Sequence, residues 1–85
     1  MTYDKTEDAM REEFENLANA IILQAVKDWR QAVRVLKKRP RYRAAREMRE
    51  DCEKFFLSEC FEELTRVDGR ALLEQLKREA GIDDG

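Results

Sequence analysis

The chain of 85 residues contains no histidine. That absence removes the Ser-His-Asp and Cys-His nucleophile systems and every zinc site that uses imidazole. Cysteine is nearly as scarce, with Cys52 and Cys60 too few to build a four-thiolate zinc site in one chain. On one continuous helix they would stand about 12 Å apart, beyond the roughly 7 Å between Cα atoms that a disulfide tolerates. Both therefore read as buried small hydrophobes in a reducing compartment, able to pair only if the helix breaks between them. The three glycines, Gly69, Gly81 and Gly85, are too dispersed for a phosphate-cradling loop. With one proline and 8% aromatic residues, the chain does not read as a sandwich, a barrel or a disulfide scaffold. No apolar run approaches the roughly 20 residues of a membrane helix, and the acidic start lacks the basic region of a signal peptide. The expectation is a cytoplasmic, non-enzymatic protein with no cofactor, no metal and no membrane partner.

Charge and helical periodicity are abundant. Charged residues make up 42% of the chain and apolar residues another 42%, a balance that suits a small helical protein rich in surface. From residue 7 to 38, Met10, Phe14, Leu17, Ala18, Ile21, Ile22, Ala25, Val26, Trp29, Ala32, Val33 and Leu36 recur at steps of three and four. No glycine or proline interrupts them. Thr6 or Asp8 can cap this helix, Glu7, Glu12 and Glu13 favour its positive end, and Lys37, Lys38 and Arg39 favour the other.

Pro40 marks the turn and suits the first position of a second helix. That helix is expected over about Arg41 to Leu57, with Tyr42, Ala45, Met48, Cys52, Phe55 and Phe56 on its inner side. Ser58 is a candidate cap for a short third helix through Phe61 and Leu64, although helices two and three could also run on as one. Asp68 reads as the cap of a last helix, about Gly69 to Ala80, with Val67 stapled onto Leu72. Gly81 is the expected left-handed stop, with residues 82–85 a frayed tail.

The expected fold is all-α: one domain over residues 1–85, with ends flexible over about 1–6 and 82–85. A long helical hairpin carries two short C-terminal helices and is assembled as a homo-oligomeric bundle. A first helix of about 30 residues shows more apolar surface than a partner of 17 can cover, and small cores rarely supply more than about 3–5 kcal/mol. A monomer in which helices two to four jointly cover helix one remains the alternative.

The net charge of -2 conceals a segregation. Residues 27 to 49 hold ten bases against Asp28 and Glu47, a net +8, between acidic flanks of -4 and -6. Seven of the ten bases are arginine, whose planar fork suits bidentate contact with phosphate or carboxylate. Arg30, Arg34 and Lys37 form one helical stripe and Arg39, Arg43 and Arg46 a second. A hairpin brings the stripes together and focuses positive potential at its tip. Trp29 and Tyr42 stand among them as candidate stacking platforms. The expected anion or nucleotide site is therefore Arg30, Arg34, Lys37, Arg39, Arg43, Arg46, Trp29 and Tyr42. The competing reading pairs these bases with acids of the other helices and leaves Trp29 in the core. The acidic cluster Glu59, Glu62 and Glu63 reads as a solvated helix face.

Between Ala20 and Glu79 the chain resembles small, largely uncharacterised helical proteins encoded by prophages and mobile elements of Gram-positive bacteria. The resemblance rests on Ala25-Val26-Lys27-Asp28-Trp29-Arg30, Leu36-Lys37-Lys38, Glu53-Lys54-Phe55-Phe56-Leu57-Ser58 and Leu64-Thr65-Arg66-Val67-Asp68-Gly69. It covers about two thirds of the chain, and Cys60 stands where such proteins carry an aromatic residue. The resemblance implies a setting in the host bacterial cytosol. It also implies one of three roles. The first is counter-defence, in which an oligomer sequesters a nucleotide-derived immune signal, of cyclic dinucleotide or ADP-ribose type, in a basic pocket. The second is a nucleic-acid-binding accessory or regulatory protein, which a pI of about 5.3 and the lack of a recognition-helix pattern disfavour. The third is a protein-binding inhibitor or scaffold with no small ligand.

Overall fold

The computed structural model describes residues 2–82, with side chains described from residue 12 onward. Helix α1 (Thr2–Lys38) runs for 37 residues, about 55 Å at 1.5 Å per residue, and sets the long dimension of a 58 × 23 × 20 Å molecule. The radius of gyration is 16.1 Å, against about 12 Å for a compact domain of this length. The helix begins earlier than the caps Thr6 and Asp8 predict and includes residues 2–6 of the expected flexible end; Met1 and residues 83–85 lie outside the described residues.

Helices α2 (Arg43–Phe56), α3 (Glu59–Leu64) and α4 (Gly69–Glu79) complete the chain, and no strand occurs among the described residues. Pro40 does not open α2. It sits in the turn, where the Tyr42 amide donates to the Arg39 carbonyl (3.0 Å), and Tyr42 is the residue that caps α2 through its backbone alone. The break after α2 belongs to Ser58. Its hydroxyl donates to the Phe55 carbonyl at 2.7 Å and accepts from the Phe61 amide at 3.2 Å, closing one helix and opening the next. Helices α2 and α3 are thus separate.

Asp68 caps α4 as expected, its Oδ1 accepting from the amides of Arg70 (3.0 Å) and Ala71 (3.3 Å). Gly81, with φ of 74°, ends it, and the Gly81 and Ile82 amides bond back to the carbonyls of Arg78 and Lys77. This is the Schellman arrangement, and Ile82 packs on the core rather than fraying. Val67, expected to staple onto Leu72, is 54% exposed.

The core lies where α4 covers the α1–α2 hairpin. Trp29, Phe56 and Phe61 are its fully buried large side chains, joined by Val26, Val33, Cys52, Leu73 and Leu76. Phe55, Phe56 and Phe61 form an aromatic triangle with centroids 5.6–5.9 Å apart, and Phe61 meets both others edge-on. Gly69 makes this docking fit, because a Cβ there would lie 1.8 Å from the Phe56 carbonyl oxygen. Ala45, Cys52 and Phe56 form the seam of α2 toward α1. Tyr42 and Met48, expected on that inner side, are 46% and 43% exposed because they fall on its flank. Cys60, expected to be buried, is exposed on α3 while its neighbour Phe61 points inward; both cysteines are free thiols. Among the described residues, no helix is long and apolar enough to cross a membrane.

Candidate anion site at the hairpin end

The eight residues expected to converge divide: Trp29, Arg30, Arg34 and Lys37 line a hollow of about 310 Å³ against Leu76, Glu79 and Ala80 of the α4 end, whereas Arg39 and Tyr42 lie at the turn. Trp29 is wholly buried, and its indole Nε1 donates to Glu53 Oε2 at 3.0 Å, so it is a core residue and not a stacking platform. The same carboxylate oxygen accepts from Arg49 Nε at 2.7 Å, which ties α2 to the indole. Arg30 and Lys37 face α4. Arg30 Nη2 donates to Glu79 Oε2 at 3.1 Å, and Lys37 Nζ donates to the Ala80 carbonyl. Both bases therefore meet the negative end of α4, a structural use of their charge. Arg43 is turned outward and pairs with Glu47 one turn along α2, an exposed contact worth about 0–1 kcal/mol. Arg46 is exposed on α2. The two stripes diverge because the first lies against the end of α4 while Arg43 and Arg46 of the second face solvent on α2.

Pairing with acids nevertheless neutralises little of the basic segment. Arg30, Arg43 and Arg49 have carboxylate partners and Lys37 a carbonyl. Lys27, Arg34, Lys38, Arg39, Arg41 and Arg46 have no ion pair among the described residues. Six of the ten bases thus remain open to an external anion.

Three of those six, Lys38, Arg39 and Arg41, line hollows that Tyr42 also lines. Between α1 and α2, at the turn, an open groove of about 520 Å³ has a floor of Ala32, Val35, Ala44, Ala45 and Met48. Gln31, Lys38, Arg39 and Tyr42 border it. A second depression is lined by Arg39, Pro40, Arg41 and Tyr42, so Arg39 and Tyr42 border both hollows. Arg39 and Tyr42 are the predicted site residues that fall here. Lys38, Gln31, Val35 and Met48 are the residues sequence reasoning missed. Their signal was helical phase: Gln31, Val35 and Lys38 follow at steps of four and three along one flank of α1. Lys38 also lines a shallow depression along α1 with Lys27, Arg30 and Arg34.

The arrangement can hold a phosphate by charge-assisted hydrogen bonds from Lys38 and Arg39, and a flat ring against Tyr42 over an apolar floor. Among the described residues, no cluster of three or more Cys, Asp or Glu side chains could hold a metal ion. Burial pushes the Cys52 thiol above its ordinary value, and the nearby Asp28, Asp51 and Glu53 carboxylates add to the shift, which disfavours the reactive thiolate. No protein-family model, curated protein or solved structure matches the chain.

Proposed function

We propose that the protein acts by binding rather than by catalysis, capturing a compact nucleotide-type anion of the cyclic dinucleotide or ADP-ribose class at the hairpin end. The resemblance to prophage-encoded proteins supports placing this capture in counter-defence, as sequestration of an immune signal. The observation that carries the reading is the half-exposed Tyr42, which lines two adjoining hollows together with the unpaired Lys38, Arg39 and Arg41. A compact ligand suits this charge distribution. The Debye length is about 8 Å at physiological salt, so a small anion senses the basic end alone while a long polyanion also meets the acidic flanks.

Calorimetric titration of cyclic dinucleotides, ADP-ribose derivatives and short DNA tests it. Arg39→Ala should weaken binding of the small nucleotide by roughly ten- to a hundredfold, since a charge-assisted bond contributes about 1.5–3 kcal/mol. Tyr42→Ala should cost a similar amount if the ring stacks. Arg43→Ala, which removes an outward side chain already paired with Glu47, should change affinity little. Silence toward every small nucleotide sinks the reading.

One observation favours a second reading. Lys27, Arg30, Arg34 and Lys38 form a straight basic row on α1, a shape that follows a nucleic-acid backbone better than a compact ligand. Binding of any DNA with equal strength and a steep salt dependence would select it.

A further inference from the structure

One flank of α1 is only partly covered inside the chain, bordered by α3 at Phe14 and by α2 at Gln31 and Val35. Phe14, Leu17 and Ile21 are 55%, 61% and 40% exposed. Gln24, Asp28, Gln31 and Val35 continue the same line, and all seven positions follow at alternating steps of three and four. That is the spacing of a coiled-coil seam. The seam is apolar at its start, polar in its middle, and apolar again where Val35 joins Met48 on the groove floor.

Charge is divided along the same helix. Between residues 12 and 26 stand Glu12, Glu13 and Glu15 with no base, and between 29 and 39 stand Arg30, Arg34, Lys37, Lys38 and Arg39 with no acid. Arg34, Lys38 and Arg39 have no ion pair among the described residues. A parallel pair of such helices sets glutamates against glutamates and bases against bases. An antiparallel pair sets each acidic stretch beside a basic one.

We infer that the seam is covered by a second copy of this chain, its α1 antiparallel to the first about a two-fold axis near Val26. This interface is isologous, so every contact occurs twice. Leu17 then faces Val35 of the second copy, and Phe14 reaches the open side of the groove beside Lys38 of the second copy. Glu13 comes beside Arg39 of the second copy. At the centre Gln24 meets Asp28 of the second copy; within one chain Gln24 Nε2 already donates to Asp28 Oδ1 at 2.9 Å, so these groups are poised on the seam. Polar residues at seam positions fix register, because a slipped alignment buries them against apolar neighbours. Residues 14 to 38 overlap in this pairing, about 37 Å of helix. The dimer shares the Val35, Lys38 and Arg39 end of the groove with the nucleotide reading, but its test uses no ligand, so either can fail without the other.

Sedimentation of the full chain at micromolar concentration should show a species of twice the 10.1 kDa chain mass. Its dissociation constant should rise at least tenfold near 1 M salt, where the Debye length falls to about 3 Å. Leu17→Glu should give a monomer of undiminished helicity by circular dichroism, because Leu17 is largely exposed within one chain. Orientation is read by cross-linking in a Cys60→Ser background, which leaves the buried Cys52 as the one native thiol. Chains carrying Leu17→Cys mixed with chains carrying Val35→Cys should form a disulfide between the two kinds, and neither kind alone should link to itself. A monomeric wild type overturns the inference. So does a Leu17→Glu protein that remains dimeric, or a Leu17→Cys chain that links to its own copy.

Discussion

The two halves of α1 share one apolar period and differ in what that period meets. From Val26 to Val33 the stripe meets α2 and α4, and Trp29 is 0% exposed. From Phe14 to Ile21 the core side is held by the small, buried Ala18, while Phe14, Leu17 and Ile21 stand on the adjoining flank with only the six-residue α3 beside them. Leu17 is 61% exposed despite its apolar side chain. Periodicity therefore reports which side of a helix seeks cover, while chain length decides how much of that side is covered. The excess apolar surface falls at the acidic end, and the excess positive charge at the other.

The largest test of this contrast is a pair of alanine substitutions. Trp29→Ala should destabilise the fold by about 3–5 kcal/mol through the cavity it opens, with a further loss from the freed Glu53 carboxylate. Leu17→Ala should change the unfolding of the dilute protein by less than about 0.5 kcal/mol. Its effect should grow with protein concentration, whereas that of Trp29→Ala should not. Chemical denaturation at two concentrations reads both, and a Leu17→Ala penalty as large as that of Trp29→Ala would erase the contrast.

Next in size is Gly69→Ala. A methyl 1.8 Å from the Phe56 carbonyl must push the start of α4 off the end of α2. A cost of about 1–3 kcal/mol or more follows, readable as a fall in the thermal midpoint. An unchanged midpoint would mean that α4 is not held where it is described.

The smallest effect separates the two thiols. Cys60 should react with a thiol reagent in the native protein near pH 8, and Cys52 only on unfolding. The raised Cys52 thiol also gives a sign in alkali. An acid whose proton is held more tightly in the folded state favours folding progressively less as pH rises from the ordinary thiol range toward its raised value. Stability should therefore fall across that alkaline window, and Cys52→Ala should flatten the slope. Equal native reactivity of both cysteines would contradict the burial.

Much of the fold was legible because its punctuation is local. Ser58, Asp68 and Gly81 each satisfy backbone groups within three or four residues of themselves, so their roles follow from residue type and position. The start of α2 was misread because Pro40 fits two places, the turn itself or the first helical position. The site was less legible for a different reason. Whether Arg39 or Arg43 borders a groove depends on the rotation of α2 about its own axis, and that rotation is set by the Ala45, Cys52 and Phe56 seam. The distant partners of Arg30 and Lys37, on α4, could not be read from spacing at all. Tertiary docking chose them.

The single tryptophan gives the molecule an internal light source in an informative place. Its indole is sealed between α1, α2 and α4 and hydrogen-bonded to the carboxylate that also holds Arg49. Emission from Trp29 should therefore lie toward the blue in the native protein, and it should redden whenever the hairpin parts from α4. Events on the Phe14–Leu17–Ile21 side occur away from it and should leave its colour unchanged. Fluorescence thus reports the integrity of one chain, while hydrodynamic measurements report the company that chain keeps.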